Sequence, residues 1–212
     1  MDDHKRSYYR NLSQTLVKKF ARRGIDALYC DTAAEAKDAV LELMPSGSSV
    51  TWGGSMSIEE AGILDAVREG NYNIIDRSDK GPGEDPRIML SKQMMADYFL
   101  MSTNAFTRDG ELVNIDGMGT RLCFLVAGPA HVIVVASMNK MTRDVPSALQ
   151  RIHDQATPPN CVRLNIPTPC AATGACGDCH GANTICCQEV ITRHSREPHR
   201  ITVVLVGEEL GY

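Results

Sequence analysis

The chain has 212 residues, 43% of them hydrophobic and 23% charged, with a formal net charge of -4. That is ordinary composition for one globular domain over residues 1–212. It offers no basic footprint for nucleic acid, aromatics at 5% are too few for base-stacking platforms, and no apolar run approaches the ~18 residues of a membrane span.

From Tyr8 to Arg23, Leu12, Leu16, Val17 and Phe20 recur at helical spacing, and Gly24 stops the pattern as a C-cap would. Lys18, Lys19, Arg22 and Arg23 read as that helix's outer face. D-A-L-Y-C at 26–30 predicts a strand, then Thr32 an N-cap, a helix through Met44, and a Pro45-Ser46-Gly47 turn. A strand at 48–52, a helix from Ser57 to Arg68 and a strand at 72–76 continue a βαβ rhythm, which predicts a mostly parallel sheet covered by helices. The breakers in 77–86 predict a loop, followed by a helix to Met95 and a buried strand at 96–102. Asp109-Gly110 between alternating residues is a two-residue hairpin signal, an antiparallel excursion of the sheet. H-V-I-V-V-A-S at 131–137 predicts a core strand, 145–156 a helix, and I-T-V-V-L-V at 201–206 the last strand. The fold class is α/β, with a cysteine-rich C-terminal loop inserted at 167–190.

That loop holds five of the eight cysteines in the pattern C-x5-C-x2-C-x6-C-C. The charged N-terminus M-D-D-H-K-R-S lacks an apolar signal segment, so a cytoplasmic, reducing setting is expected and a disulfide framework is disfavoured. A redox dithiol at Cys176 and Cys179 leaves the other thiols without a role. The preferred reading is a metal held by Cys170, Cys176, Cys179 and Cys186, with Cys187 spare and His180 a solvated loop residue. Zinc and iron–sulfur both accept four thiolates. Zinc ribbons usually carry two C-x-x-C knuckles and this loop has one, so the spacing favours an iron–sulfur cluster, of the 4Fe-4S type, with zinc as the alternative. Cys30, Cys123 and Cys161 are read as small apolar packers.

Two stretches suit a small anionic metabolite. After the strand at 48–52, Gly53 and Gly54 allow close backbone approach and Ser55 offers a hydroxyl, while Ser57 and Glu60 read as a capping box; a plain strand-to-helix turn is the alternative. Trp52 is expected in the core. Further on, Glu111, Asn114, Asp116 and Arg121 lie close together in sequence, with Arg121 as a possible bidentate carboxylate partner; the alternative is a surface turn in which Arg121 pairs with Asp116. Asn139 and Lys140 follow the strand at 131–137 on the same edge. No G-x-S-x-G elbow is present, and G-M-G-T-R-L at 117–122 lacks the third glycine of a dinucleotide fingerprint.

N-I-D-G-M-G-T-R-L-C-F-L-V-A-G-P-A-H-V-I-V-V-A-S-M-N-K, the earlier T-W-G-G-S, and the ending P-T-P-C-A-A-T-G-A-C-G-D-C with V-V-L-V-G-E-E-L-G-Y resemble the LUD domain family of lactate-utilization proteins. The resemblance spans nearly the whole chain, and its cysteine-bearing tail matches a subset of the family. It implies a NagB/RpiA/CoA-transferase-like fold and work beside the iron–sulfur subunits of a lactate oxidation complex. The S-E-N-G-type glutamate motif of CoA-transferases is not seen; Glu111 is the nearest acid by position and does not match it. The expected function is therefore an electron-transfer or accessory role in organic-acid oxidation, with L-lactate foremost. The alternative is an enzyme acting on a phosphorylated or carboxylated metabolite, with Glu111, Asp116 and Lys140 as acid–base candidates and a structural zinc.

Overall fold

The computed structural model describes residues 2–79, 81 and 83–212. Helix α1 (Asp3–Arg22) starts at Asp2, whose carboxylate accepts the Lys5 N–H at 2.9 Å, and it buries Tyr9, Leu16 and Phe20. Strand β1 (Asp26–Cys30) leads through the Thr32 cap into α2 (Ala33–Leu43) and then β2 (Ser49–Trp52). The helix expected from Ser57 to Arg68 is two, α3 (Met56–Glu60) and α4 (Ile63–Glu69), because Gly62 adopts φ +67° between them. Strand β3 (Asn73–Ile74) is shorter than expected. The loop that follows includes Lys80 and Pro82, which lie outside the described residues. Asp85 then caps α5 (Pro86–Met94), and β4 (Tyr98–Met101) follows.

Six parallel strands form the main sheet. With β7 (His131–Ser137) and β10 (Ile201–Val206), their order is β1-β10-β7-β4-β2-β3. Alternate residues of the central strands enter two different cores. Val132, Val134, Val203 and Leu205 pack with Leu16, Phe20, Phe99 and Phe124 on one face. Ile133, Val135, Val204 and Val206 pack with α2, α3 and α4 residues such as Val40, Ile58 and Val67 on the other. A strand buried on both faces needs apolar side chains at every position, which is why V-I-V-V and V-V-L-V read so clearly.

The hairpin does not join this sheet. Strands β5 (Ala105–Thr107) and β6 (Leu112–Asp116) pair antiparallel in a second sheet of order β8-β5-β6-β9, and the chain returns through α6 (Thr120–Ala127) to β7. Its edges are β8 (Met141–Thr142) and β9 (Gln188–Thr192). The hairpin closes with the Thr107 N–H donating to the Glu111 carbonyl at 2.9 Å, so three residues, Arg108 to Gly110, form the loop, with Gly110 at φ +87°. That is the glycine-bulge loop rather than the expected two-residue turn. The tip is tied to the end of α1: Lys19 pairs with Asp109 at 2.7 Å, and Arg23 pairs with Glu111 at 2.8 Å and donates to the Asp109 carbonyl. Lys19 and Arg23 therefore anchor the hairpin instead of forming only a solvated face.

Behind the second sheet runs a helical rod, α7 (Val145–Arg151), one π turn at Ile152–Ala156, and α8 (Thr157–Arg163). Pro158 and Pro159 have no N–H to return to the carbonyls of Asp154 and Gln155, and the turn widens where those bonds are missing. Ala148, Ile152 and Ala156 seal the rod against Ala105, Val113 and Ile115. Short α9 (Pro169–Thr173) follows, and the cysteine segment runs from it to β9. No helix among the described residues is long and apolar enough to cross a membrane.

Phe20 is fully buried where α1, the main sheet and the hairpin meet, with Phe106 at 6.2 Å between ring centroids. Phe20→Ala is expected to destabilise the protein by about 3–5 kcal/mol. Urea unfolding should show it as a lowered midpoint at unchanged slope; a loss below about 1 kcal/mol would mean that this junction is not cooperative with the core.

Candidate anion cleft and cysteine cluster

The carboxyl ends of β2, β4 and β7 open into a cleft of about 840 Å³ whose far wall comes from β6, α6 and α8. Its cationic side chains are Arg77, Arg87, Arg121, Lys140 and Arg163, set against a single side-chain carboxylate, Asp116. Gly53, Gly54 and Ser55 line it as well, and Trp52 is both core and cleft wall.

Arg121 organises this end of the molecule. Its Nε donates to Asp116 (3.2 Å), one terminal nitrogen to Asn114 Oδ1 (2.9 Å) and the Ser102 carbonyl (3.3 Å), and the other to Asn104 Oδ1 (2.9 Å) and the Ile115 carbonyl (2.8 Å). All five N–H donors of the guanidinium are thus engaged. The expected free fork for a carboxylate is not what this geometry offers: Arg121 fastens the end of β4 to the end of β6. Burial lowers its pKa from the usual arginine value, with Asp116 opposing. A Cβ on Gly53 would sit 3.2 Å from the Arg121 Cγ, a tight contact that glycine avoids. The Gly53 N–H is also occupied, by the Leu100 carbonyl at 3.1 Å.

Lys140 is the opposite case. Its side chain is buried, and its Nζ donates to Ser57 Oγ at 2.7 Å and Ser102 Oγ at 3.2 Å. Both hydroxyls give their own protons away, to the Leu210 and Thr103 carbonyls, so they meet the ammonium as acceptors. Among the described residues it has no carboxylate partner and no third acceptor. Burial, then Arg151 and Arg121, push its pKa down to about 7. The capping-box expectation is corrected here. Ser55 caps α3, accepting the Ile58 N–H at 3.5 Å, while Ser57 serves Lys140 and Glu60 accepts the Gly211 N–H at 2.7 Å.

The other predicted residues divide. Asn114 lies buried beneath the cleft on Arg121, with its Nδ2 unpartnered. Asp116 also accepts the Gly119 N–H at 2.7 Å, closing the turn into α6. Asn139 lies beside a separate depression of about 530 Å³, its Oδ1 unpartnered. Glu111 is at the hairpin tip on Arg23 and Thr107 and does not line the cleft. Sequence reasoning missed Ser57 and Ser102, the two lysine acceptors, and Asn104, which holds both Arg121 and, through its carbonyl, Arg151 at 2.8 Å. Ser102 had a usable signal, its place at the carboxyl end of a buried strand.

The cysteines also divide. Cys123 is exposed rather than packed, Cys30 is a core residue, and Cys161, expected to be a packer, has its sulfur 3.9 Å from that of Cys170. Cys179 and Cys186 lie within electrostatic reach of Cys161, and Cys176 within reach of Cys186. Hydroxyls touch two of these sulfurs, Thr168 at Cys170 (3.2 Å) and Thr157 at Cys186 (3.7 Å), and His153 Nδ1 is 3.6 Å from Cys176. Burial pushes the Cys186 thiol up to about 11. Cys187 and His180 face solvent. Among the described residues, no three His, Cys, Asp or Glu side chains already converge closely enough to hold a metal. The donor set is nonetheless soft and hydroxyl-supported, which fits a thiolate-bound metal. Thr157 belongs to both places, lining the cleft and touching Cys186.

The crystal structure of a DUF162 family protein from Deinococcus radiodurans has this fold: the two superpose with a TM-score of 0.54, covering 93% of this chain and 97% of that one at 12% identity. The family model described as the LUD domain matches residues 13–206, and the chain belongs to that family. No curated protein matches it.

A buried lysine with a lowered pKa penalises the folded state whenever it is charged. The unfolded chain binds the proton more tightly, so the penalty is full below pH about 7 and fades as pH rises toward the ordinary lysine value of 10.5. Lys140→Met is therefore expected to raise stability at pH 6 by a few kcal/mol, on the order of 1.36 kcal/mol per pKa unit, and by progressively less at pH 8 and 9. Denaturant midpoints of both proteins across that range check this; a pH-independent difference would show that Lys140 keeps its ordinary pKa.

Proposed function

We propose that this LUD-domain protein binds a small organic anion at Lys140 and carries a metal–thiolate centre in the adjoining wall, serving as an electron-transfer or accessory component of organic-acid oxidation. The observation that carries the reading is the buried Lys140 ammonium, held by two hydroxyls and bonded to no carboxylate among the described residues, in a cleft whose charged lining side chains, among those residues, are five cations and one carboxylate. Such a charge costs several kcal/mol unless an anion joins it. A carboxylate accepting from Nζ supplies that missing charge, with Arg77 and Arg163 at the cleft wall attracting it. Family membership supports a 2-hydroxy acid such as L-lactate as the ligand, a cytoplasmic setting and iron–sulfur proteins as partners. The grouping of thiols beside Thr157 supports the metal, an iron–sulfur cluster or zinc, which when bound would supply either an electron acceptor or a rigid wall.

A second reading is favoured by one fact. A lysine with a pKa of about 7 suits proton transfer at neutral pH, so Lys140 could act as acid or base on the bound metabolite. Asp116 is committed to Arg121 and Gly119, and Glu111 lies away from the cleft, which leaves Lys140 as the acid–base candidate of the three. Turnover of the ligand without an added electron acceptor would select this reading.

Calorimetric titration with L-lactate, and separately with inorganic phosphate, tests the first. Lactate is expected to bind, and Lys140→Met to weaken it roughly tenfold to a hundredfold, the range of a charge-assisted hydrogen bond at 1.5–3 kcal/mol. Affinity should decline as pH rises above about 7, where the free lysine loses its proton. Equal affinity in the variant would remove Lys140 from the site.

A further inference from the structure

We infer that Cys161 is a metal ligand and that Cys161 and Cys170 hold one and the same ion, so that the centre is built on a metal taking two of these thiolates together. This rests on the metal–thiolate reading above and changes its ligand set. A cubane cluster takes one cysteine at each iron, which separates its ligand sulfurs. Two thiolates on one tetrahedral ion at about 2.3 Å stand roughly 3.8 Å apart, and the two sulfurs here are 3.9 Å apart.

The pair is not an ordinary packing contact. Cys161 has no exposed surface and Cys170 only 7%, yet neither belongs to any of the three apolar clusters, whereas buried Cys30 does. Thr168 Oγ1 lies 3.2 Å from the Cys170 sulfur, and Cys179 and Cys186 are close enough to act on Cys161 electrostatically though not yet converged on it. The pair also comes from regular structure, Cys161 from α8 and Cys170 from α9, and the Thr168 N-cap fixes the latter by accepting the Ala171 N–H at 3.2 Å. It is a preformed half-site. Cys176, Cys179 and Cys186, which are partly or fully exposed, lie on the segment that follows and supply the remaining ligands by closing on it.

Full-length protein purified without oxygen and loaded with an NMR-active cadmium isotope as the sole metal provides the test. The expected result is one cadmium resonance correlated with the β-protons of both Cys161 and Cys170. Cadmium correlated with Cys170 but not Cys161, or with the two residues through different ions, would overturn the inference while leaving a metal–thiolate site standing. Failure to bind cadmium at all would remove the metal reading together with the inference. As a second measure, Cys161→Val keeps an apolar side chain of similar size, so a packing role tolerates it. Loss of metal affinity by at least ~10-fold is expected if Cys161 ligates, with wild-type affinity as the contrary result.

Discussion

Everything at the functional end of this molecule depends on the buried guanidinium of Arg121. Five N–H donors out of water must all be answered, and the acceptors that answer them come from Ser102 and Asn104 just beyond β4, Asn114 and Ile115 in β6, and Asp116 at its end. One side chain thereby ties the end of the parallel sheet to the smaller sheet beside it. The cleft opens beside this junction. Gly53 packs against it from the other side, where a Cβ would crowd the arginine stem at 3.2 Å. The two glycine-bearing motifs that looked independent along the chain are thus halves of one contact.

Because Arg121 has no donor left, the buried cation of the cleft that is not fully engaged is Lys140, with Arg77, Arg87 and Arg163 along the wall. The two cations illustrate opposite solutions to burial. Arg121 is compensated by a bonded carboxylate and four neutral oxygens, whereas Lys140 is bonded only to hydroxyls and feels two guanidiniums nearby, with the more weakly acting Glu60 carboxylate opposing them. The first arrangement gives rigidity, and the second stores an unmet demand for negative charge. Strongly perturbed buried groups cluster at functional sites, which makes the lysine rather than the arginine the candidate group of this cleft.

Much of the fold was legible because the central strands are buried on both faces. Continuous runs such as Val132 to Ala136 and Val203 to Val206 have no other common explanation in a chain with alternating helices. The second sheet was not legible. Its strand β9 carries Gln188, Glu189 and Thr192, mostly exposed on an edge, and lacks an apolar signature. Helix α6 was missed because its sequence T-R-L-C-F-L-V-A reads equally well as a buried strand. At the site, Asp116, Arg121 and Lys140 were identifiable as polar residues at strand ends, but which of them remains free depends on partners from distant segments. Ser57 and Ser102 are 45 residues apart in the chain and meet only at the lysine Nζ. Cys161 failed to stand out for a similar reason: a single cysteine in a helix looks like a small apolar residue until another sulfur is seen beside it.

The cysteine segment and the cleft are joined by the irregularity in the long helical rod. Two prolines deprive Asp154 and Gln155 of their helical donors, and the wider turn that results lies between His153, which reaches Cys176, and Thr157, which reaches Cys186. His153 and Thr157 are four residues apart, a spacing that puts both on one side of the rod, and each touches a sulfur there. Thr157 also lines the cleft, so one hydroxyl is shared between the sulfurs and the cleft wall.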